Sequence, residues 1–338
     1  MITIQPHSSE KISHHIEKND LLTLLSEILD KQSILCDQEQ LKPFECDALS
    51  AYKCVPWIVV LPETVAQVQA VLTLCYQKGV PVVVRGAGTG LAGGAIPLDN
   101  GLLISLAKFN KIIEIDADNR LARVQPGVRN KAISEAVLSH GLYYAPDPSS
   151  QIACTIGGNV AENSGGVHCL KYGLTTHNIL RLKMLTMAGE LVTIGSHALD
   201  SAGYDLLALL TGSEGMLGVI VEVTVKLLPL PEMTQVVMVA FDDIERAGQA
   251  VAEIIAQGLI PAGLEMMDKA TIKAAEDFVH AGYPDDAEAI LLCELDGCAE
   301  QVEQELQQVS TILYQQGAVE VTVASSEQER QTMWAGRK

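Results

Sequence analysis

The chain has 338 residues, which is too long for a single ordinary hydrophobic core and indicates two or three domains. Hydrophobic residues make up 48% of it, enough to bury a sizeable core, and this argues against a disordered protein. The formal net charge of −19 repels nucleic-acid phosphates and anionic lipid headgroups, so neither is expected as a direct partner. An anionic ligand must then be held by individual arginines and backbone N–H groups.

Charged residues run through the first 30 positions, and no apolar run reaches about 18 residues, so neither a signal peptide nor a spanning helix is predicted. The expected location is the cytoplasm, without direct membrane insertion. The eight cysteines never form a C-x-x-C pair. This spacing favours reduced thiols over a disulfide framework, a zinc site or an iron–sulfur cluster.

The first 54 residues are predicted to be a helical lead-in, in which LLTLLSEIL at 21–29 has the apolar spacing of an amphipathic helix. The sequence from 57 to 86 then predicts the order strand, helix, strand. Thr64 is expected to cap this helix and Gly79 to end it.

Short strands, one helix and a hairpin are predicted next. They are, in chain order, strands at 101–106, 111–116 and 121–127, a helix from Asn130 to His140, a hairpin over 182–194 turned at Ala188-Gly189, and a long alternating strand at 216–228. These elements place the first large domain at 55–230.

After the proline-rich turn PLPE at 229–232, the pattern changes to the order βαββαβ, which is typical of a ferredoxin-like layer. The predicted strands are TQVVMVAF, AGLEMMD, EAILLCELDG and AVEVTVAS. One helix follows the first strand, another follows the third, and a further helix starts near Glu327. The second large domain is therefore expected at 231–338.

The stretch VVVRGAGTGLAGGA at 82–95 has five glycines within nine positions after a run of β-branched residues. Its GTGLAG fits G-x-G-x-x-G, the fingerprint of a nicotinamide-binding Rossmann fold, which needs a helix starting at those glycines. Gly93, Gly94 and Pro97 would stand inside that helix and destabilise it by about 1 kcal/mol per glycine and about 3 kcal/mol for the proline. A strand-to-strand loop is predicted instead. It can form a nest of N–H groups for a pyrophosphate, with Arg85 supplying charge at its rim; taken alone, it also fits a tight turn beside a core strand.

A second stretch, PDPSSQIACTIGGNVAENSGG at 146–166, is interrupted by polar and glycine clusters, so almost no regular secondary structure is predicted in it. Long ordered loops of this kind are usually functional. Its glycine pairs permit close backbone approach to a bound group, and its serine, threonine and asparagine side chains offer neutral hydrogen bonds. A large ligand with a phosphate bridge and a flat polar ring explains both stretches together.

Four collinear motifs carry a resemblance to a known family. They are the two glycine stretches, KYGLTTHNIL at 171–180 and GSEGMLGVIVEVTVKLLP at 212–229. They resemble the FAD-binding domain of the vanillyl-alcohol oxidase and PCMH flavoprotein superfamily. Within it, the chain from about residue 40 onward is similar to the FAD-linked oxidases that include the flavin subunit of bacterial glycolate oxidase, D-lactate dehydrogenases and D-2-hydroxyglutarate dehydrogenases. The resemblance implies an α+β fold: a PCMH-type FAD-binding domain of two α+β subdomains, followed by a ferredoxin-like cap domain that is incomplete at its C-terminus.

The resemblance also implies which residues contact FAD. For the pyrophosphate they are Arg85, Gly86, Ala87, Gly88, Thr89 and Gly90; for the isoalloxazine, ribityl and phosphate parts they are Pro148, Ser149, Ser150, Thr155, Gly157, Gly158, Asn159, Ala161, Asn163, Gly165 and Gly166; for the adenine end they are Ile220 and Val221. The last two residues also fit an ordinary strand core. Thr89 stands about where some members of the superfamily attach FAD to a histidine, so a non-covalent cofactor is expected.

The reaction that the resemblance implies is oxidation of a small 2-hydroxy acid, most simply glycolate to glyoxylate, with electrons passing to an acceptor other than NAD. The segment WAGRK at 334–338 matches the family's W-A-x-R motif and implies that Arg337 holds the substrate carboxylate. The family places its metal-binding histidines and the rest of the cap after this helix. His140, His168, His177, His197 and His280 show no metal-ligand spacing, so no metal site is predicted in this chain. His168 is singled out for testing because it directly follows the second glycine stretch.

Three hypotheses for the function follow. The first is a flavin-dependent dehydrogenase of glycolate, with D-lactate or another D-2-hydroxy acid as the alternative substrate. The second is a non-catalytic FAD-binding subunit, and the third, which the pattern disfavours most, is a nicotinamide-binding Rossmann protein. For the first, the family suggests a complex with a second flavin-domain subunit and an iron–sulfur subunit.

Overall fold

The computed structural model describes residues 16–197 and 203–337. The start of the predicted lead-in, at residues 1–15, and Lys338 of the WAGRK segment lie outside the described residues. Three groups of elements follow one another along the chain, each with its own sheet. Within the described ranges, no helix has both the length and the apolar character needed to cross a membrane.

The first group is a mostly parallel sheet covered by helices. Its elements are α1 (Lys18–Ser26), β1 (Ile34–Leu35), α2 (Gln38–Leu41), β2 (Ile58–Val60), α3 (Val65–Lys78), β3 (Val82–Arg85) and β4 (Leu102–Ser105). The strand order is β1-β2-β4-β3, in which β2, β4 and β3 are parallel and β1, from the lead-in, pairs antiparallel with β2.

Helix α3 begins and ends as its sequence predicts. The Thr64 hydroxyl accepts a hydrogen bond from the backbone N–H of Gln67 at 3.2 Å, and the Gln67 side-chain oxygen accepts one from the Thr64 N–H at 3.1 Å. This capping box satisfies two N–H groups that the first turn cannot pair. Gly79 ends the helix in the left-handed region, with φ at 66°.

The second group is an antiparallel sheet with the order β5-β6-β10-β8-β9. Its elements, together with a short pair β7 and β11, are β5 (Ile112–Asp116), β6 (Leu121–Val124), α4 (Asn130–Val137), β7 (Leu142–Tyr143), α5 (Ile156–Glu162), α6 (Cys169–Tyr172), β8 (Ile179–Leu185), β9 (Leu191–Gly195), α7 (Leu206–Leu210), β10 (Val219–Lys226) and β11 (Leu228–Pro229). The predicted hairpin is present as β8 and β9, and Gly189 adopts a φ of 83° in its turn.

The third group forms the cap sheet, with the order β13-β14-β12-β15 and antiparallel pairing throughout. Its elements are β12 (Met233–Phe241), α8 (Ile244–Ala256), β13 (Gly263–Asp268), α9 (Lys269–Val279), β14 (Ala289–Gly297), α10 (Ala299–Gln315), β15 (Glu320–Val323) and α11 (Glu327–Met333), and the turn of 3-10 helix Ala335–Arg337 follows. Helices α8 and α10 cover one face, and α9 and α11 cover the other.

The predicted order βαββαβ is wrong in one element, because helix α9 lies between the second and third strands. Asp268 caps this helix by accepting a hydrogen bond from the N–H of Thr271 at 2.8 Å. Only Ile272 of α9 is fully buried. So little of the helix enters the core that its apolar pattern is weak, although an aspartate cap before a helix-forming run was a readable signal.

Candidate functional site

A cavity of about 300 Å³ lies where the first two groups of elements meet. Three segments line it: the glycine loop after β3, the stretch that leads into α5, and the start of β10. The predicted cofactor-contact residues among its lining are Gly86, Ala87, Gly88, Thr89, Gly90, Ser150, Thr155, Gly157, Gly158, Asn159, Ala161 and Ile220. The fold therefore brings together both glycine stretches, which are more than 50 residues apart in sequence.

The first glycine loop runs from β3 to β4 without an intervening helix, as predicted. Gly88 has a φ of 70°, and a Cβ atom built there would overlap the guanidinium of Arg85. A Cβ atom on Gly86 would overlap the hydroxyl of Thr155 in the second stretch. Glycine is therefore needed at both positions, once to turn the chain and once to let the two stretches approach each other.

Arg85 does not line the cavity, and its position differs from the predicted rim charge. The side chain is buried, and its Nη1 donates hydrogen bonds to the carbonyl oxygens of Cys46 at 2.7 Å and Ala95 at 3.4 Å. It also lies over the ring of Phe44, 5.9 Å from the centroid. Burial lowers the pKa of Arg85, and the nearby carboxylate of Asp47 opposes that shift. Arg85 thus connects the first glycine loop, at Ala95, to the lead-in, at Cys46.

The second stretch is more regular than predicted, since Ile156–Glu162 forms helix α5. Gly157 and Gly158 lie inside this helix, where their low helix propensity argues against it. Burial of Ile156 and Val160 in the second core stabilises the helix despite the glycines. A Cβ on Gly157 would come within 2.6 Å of the Pro126 side chain, so this glycine also permits close packing.

Thr155 has the clearest sign of a missing ligand. Its hydroxyl is buried, lines the cavity and has no hydrogen-bond partner among the described residues. A buried hydroxyl without a partner destabilises a protein by about 1 to 3 kcal/mol, so a ligand that bonds to it would gain that energy. The glycine stretches and this hydroxyl, all in the wall of one cavity, fit a cofactor with a diphosphate bridge.

Acidic side chains at the cavity were not predicted from the sequence. Asp47, Glu162 and Glu214 are among the lining residues. Burial, together with the charges of Glu214 and Asp47, raises the pKa of Glu162. The Glu162 carboxylate lies beside the first glycine loop, where it would be 3.8 Å from a Cβ atom on Gly90, so an anionic group in the cavity must be placed away from that end of the loop.

Some predicted contact residues do not line the cavity; they are Pro148, Ser149, Asn163, Gly165, Gly166 and Val221. Val221 is buried in the hydrophobic core around the first group of elements, which fits its alternative interpretation as a strand-core residue. Gly165 leaves no room for a side chain because a Cβ there would come within 2.7 Å of Leu174 and 2.9 Å of the Cys169 sulfur. Gly166 is packed in the same way against the backbone of Asp147.

Arg337 of the cap domain pairs with the carboxylate of Glu265. The Nε of Arg337 donates to one oxygen of Glu265 at 2.6 Å, and its Nη2 donates to the other oxygen at 3.4 Å. This hydrogen-bonded pairing raises the pKa of Arg337. About 38% of the Arg337 side chain is exposed, so it is in contact with solvent.

His168 lies between the second glycine stretch and the cap sheet. Its Nδ1 is 2.8 Å from Asp147 and its Nε2 is 2.9 Å from Glu294 of β14. Two residues further along β14, Asp296 accepts hydrogen bonds from Lys171 and from the hydroxyl of Tyr172. These two carboxylates were not predicted from the sequence, although they form a pair of acidic residues in an otherwise apolar strand.

Three of the other histidines considered as metal ligands have unrelated surroundings. His177 accepts a hydrogen bond at Nδ1 from the N–H of Leu174 at 3.1 Å, His197 lies 2.8 Å from Arg181, and His280 ends α9. Across residues 16–197 and 203–337, no three His, Cys, Asp or Glu side chains are grouped so that they could hold a metal ion.

Two glycine stretches face one cavity, and the hydroxyl of Thr155 in its wall has no hydrogen-bond partner among the described residues; these features fit the class of flavin-binding proteins. Comparison with known families agrees. A model described as "FAD binding domain" matches residues 56–195, and one described as "FAD linked oxidases, C-terminal domain" matches residues 230–338. The chain belongs to the FAD-linked oxidase family, and the match supports FAD as its cofactor.

Two relatives illustrate the likeness. The chain is 59% identical to the glycolate oxidase subunit GlcD of Escherichia coli (strain K12) over 323 residues, which are 96% of this chain and 65% of that protein. It is 34% identical to the D-lactate dehydrogenase of Anaerostipes hadrus over 327 residues, 94% of this chain and 68% of that protein. The chain thus spans about two thirds of the length of these relatives.

A solved structure supports the fold. That of p-cresol methylhydroxylase with substrate bound superposes with a TM-score of 0.80 at 18% sequence identity, covering 94% of this chain and 68% of that one. The predicted fold class, a PCMH-type FAD-binding domain followed by a C-terminal cap domain, is confirmed.

Proposed function

We propose that this chain binds FAD without a covalent link and is the flavin-binding part of an enzyme that oxidises a small 2-hydroxy acid, with glycolate as the preferred substrate. The observation that carries the proposal is the cavity between the two glycine stretches, with the unpaired Thr155 hydroxyl in its wall. The names of the relatives, a glycolate oxidase subunit and a D-lactate dehydrogenase, support the substrate class.

The residues assigned to the cofactor divide into two roles. Of those that line the cavity, residues 86–90 hold FAD through backbone N–H groups and Thr155 and Ser150 hold it through their hydroxyls, while the others form the rest of the cavity wall. Arg85 acts through the loop, because its guanidinium fixes the carbonyls of Cys46 and Ala95 and so keeps the loop N–H groups in place. When bound, FAD supplies the acceptor for the hydride that leaves the hydroxyl-bearing carbon.

Arg337 is the proposed contact for the substrate carboxylate. Its Nε and Nη2 are directed by Glu265, and a guanidinium can bind one carboxylate side-on while offering its remaining N–H groups to another. Glu265 is then a positioning residue. His168 is not assigned as the base that removes the hydroxyl proton, since it is held protonated between two carboxylates: burial alone would lower the pKa of His168, but the hydrogen bonds to Asp147 and Glu294 raise it to about 10.

The partners proposed for this chain are the small hydroxy acid, a second flavin-domain subunit and an iron–sulfur subunit. The Escherichia coli relative is itself named as a subunit, which supports assembly with other chains. The alternative function is a non-catalytic FAD-binding subunit. It differs in one observable: the bound flavin would not be bleached by any hydroxy acid.

The test is a titration of the purified chain with FAD, followed by anaerobic addition of glycolate or D-lactate while the flavin absorbance is recorded. We expect saturable FAD binding without competition by NAD. We also expect glycolate to bleach the flavin faster than D-lactate does. Gly86→Ala places a methyl group against the Thr155 hydroxyl and is expected to abolish binding, whereas the control Gly248→Ala, in α8 with open space around it, is expected to bind FAD normally. FAD binding without bleaching would favour the non-catalytic alternative, and absence of FAD binding would overturn the proposal.

A further inference from the structure

The two ends of the second glycine stretch meet at a single hydrogen-bonded point. The Nδ1–H of His168 donates to Asp147 at 2.8 Å, and the His168 backbone N–H donates to the other oxygen of the same carboxylate at 3.3 Å. Gly166 lies directly against the Asp147 backbone, where a Cβ would not fit. The residues between these ends include Thr155 and Asn159, which line the proposed cofactor cavity.

The same imidazole also bonds to the cap. The Nε2–H of His168 donates to Glu294 of β14 at 2.9 Å, so both ring nitrogens have a carboxylate partner and the ring is an imidazolium. Glu294 is only 4% exposed. Burial would raise the pKa of Glu294, but the hydrogen bond and charge of His168 outweigh it and the pKa is lowered. The pair is therefore ionised on both sides.

Glu294 in turn is held by α11, close to the proposed substrate arginine. Its second oxygen accepts hydrogen bonds from Nε1 of Trp334 at 2.6 Å and from Nη1 of Arg330 at 3.3 Å. Trp334 leads directly into the turn that carries Arg337. One connected set of bonds thus runs from Asp147 through His168 and Glu294 to the segment that bears Arg337.

Apolar packing marks the same place. Val167, next to His168, packs into the cap cluster, and Gly263 of β13 lies so near that a Cβ there would be 2.6 Å from the Val167 side chain. A second charged contact, from Lys171 to Asp296, joins the same two domains. No hydrogen bond of that pair reaches Asp147 in the part of the chain that the structure describes. This contact can therefore tie the domains without closing the loop.

We propose that His168 is a positioning residue that closes the second glycine loop at its base and fixes that loop to the cap sheet. The position of the cap sheet then determines how tightly the loop binds its ligand. The bonds of His168 to Asp147 and Glu294 are called the loop joint. The proposal rests on the proposed function in one respect, that the ligand is FAD. If His168 only held the two domains together, substituting Lys171 or His168 would have the same effect on ligand binding. If the loop joint closes the loop, substituting His168 would have the larger effect.

The experiment compares His168→Gln, Glu294→Gln, the double variant and the matched control Lys171→Met. In the FAD-free chain, hydrogen exchange of residues 148–166 is measured by mass spectrometry. We expect His168→Gln and the double variant to lose protection there to the same extent, Glu294→Gln to lose less because it leaves the bonds between His168 and Asp147, and Lys171→Met to retain it. The FAD dissociation constant is expected to rise about tenfold in His168→Gln and the double variant, by a smaller factor in Glu294→Gln, and less than twofold in the control.

A second readout depends on the charge of the His168 ring. The FAD dissociation constant of the unmodified chain is measured from pH 6 to pH 10. The charged groups that act on His168 are Asp147 and Glu294, with Arg330 on Glu294 and Arg337 near Asp147. Binding is expected to weaken as the pH approaches 10, and His168→Gln is expected to lack that component.

The outcomes separate the two proposals. Changed exchange in residues 148–166 together with no FAD binding in the unmodified chain would overturn the proposed function and leave the joint standing. Normal FAD binding, with exchange and pH dependence the same in His168→Gln and the unmodified chain, would overturn the joint. Equal effects of Lys171→Met and His168→Gln would show that His168 only connects the two domains, and would also overturn the loop joint.

Discussion

Replacing Gly88 by alanine tests the first glycine loop most directly. Alanine at a φ of 70° is strained by about 1 to 2 kcal/mol. Its Cβ would also overlap the guanidinium of Arg85, which must then leave the Cys46 carbonyl. Loss of a charged hydrogen bond of this kind amounts to about 1.5 to 3 kcal/mol. The loop conformation is therefore destabilised by about 2.5 to 5 kcal/mol in total.

This energy appears as lost cofactor affinity if the loop relaxes in the FAD-free chain and must be reordered on binding. Since about 1.4 kcal/mol corresponds to a factor of ten, the FAD dissociation constant should rise at least about 60-fold. The assay is a titration of FAD fluorescence quenching, with a thermal melt to show that the variant is folded.

Gly93→Ala is the matched control for this prediction. Gly93 lies in the same loop with a φ of 83°, but the nearest atom to its Cβ would be 3.4 Å away in Ile96 and the residue does not line the cavity. It carries the backbone strain alone, which lowers the affinity for FAD by about 30-fold at most. Equal losses in the two variants would show that Arg85 does not brace the loop, and a Gly88→Ala variant that binds FAD within threefold of the unmodified chain would refute the reasoning.

Three further predictions concern other parts of the molecule. Thr155→Val removes a hydroxyl that has no partner among the described residues, so the free energy of unfolding without FAD should stay the same or rise slightly, while the FAD dissociation constant should rise about tenfold. A destabilised FAD-free protein in urea unfolding would contradict this. Because the pKa of His168 is raised from 6.5 to about 10, its contribution of a few kcal/mol is fully present below about pH 6.5 and is lost as the pH rises toward 10; the difference in urea stability between the unmodified chain and His168→Gln should shrink over that window, and a constant difference would argue against an ionised pair. Arg337→Met should abolish bleaching by glycolate while leaving the FAD dissociation constant unchanged, since its side chain does not line the cavity; stopped-flow absorbance and FAD titration check the two halves, and unimpaired bleaching would remove Arg337 from the substrate site.

Elements whose signals lie within a few residues were predictable from the sequence. Helix α3 is one, because its capping box and its final glycine are local hydrogen-bond and turn chemistry. The absence of a helix after Gly88 is another, since glycines and a proline disfavour helix wherever they stand. Helix α5 shows the opposite case: Gly157 and Gly158 disfavour it locally, and burial of its apolar residues in a distant core overrides them.

The sequence by itself thus determined the family motifs, most secondary structure and the two glycine stretches that face the cavity. Only the tertiary structure decided where Arg85 directs its charge, which hydroxyl is left without a partner, and how His168 meets Glu294, 126 residues away. The physical reason is range. Caps, turns and strand runs depend on neighbours a few residues apart, whereas buried ion pairs and unpaired polar groups depend on which distant surfaces pack together.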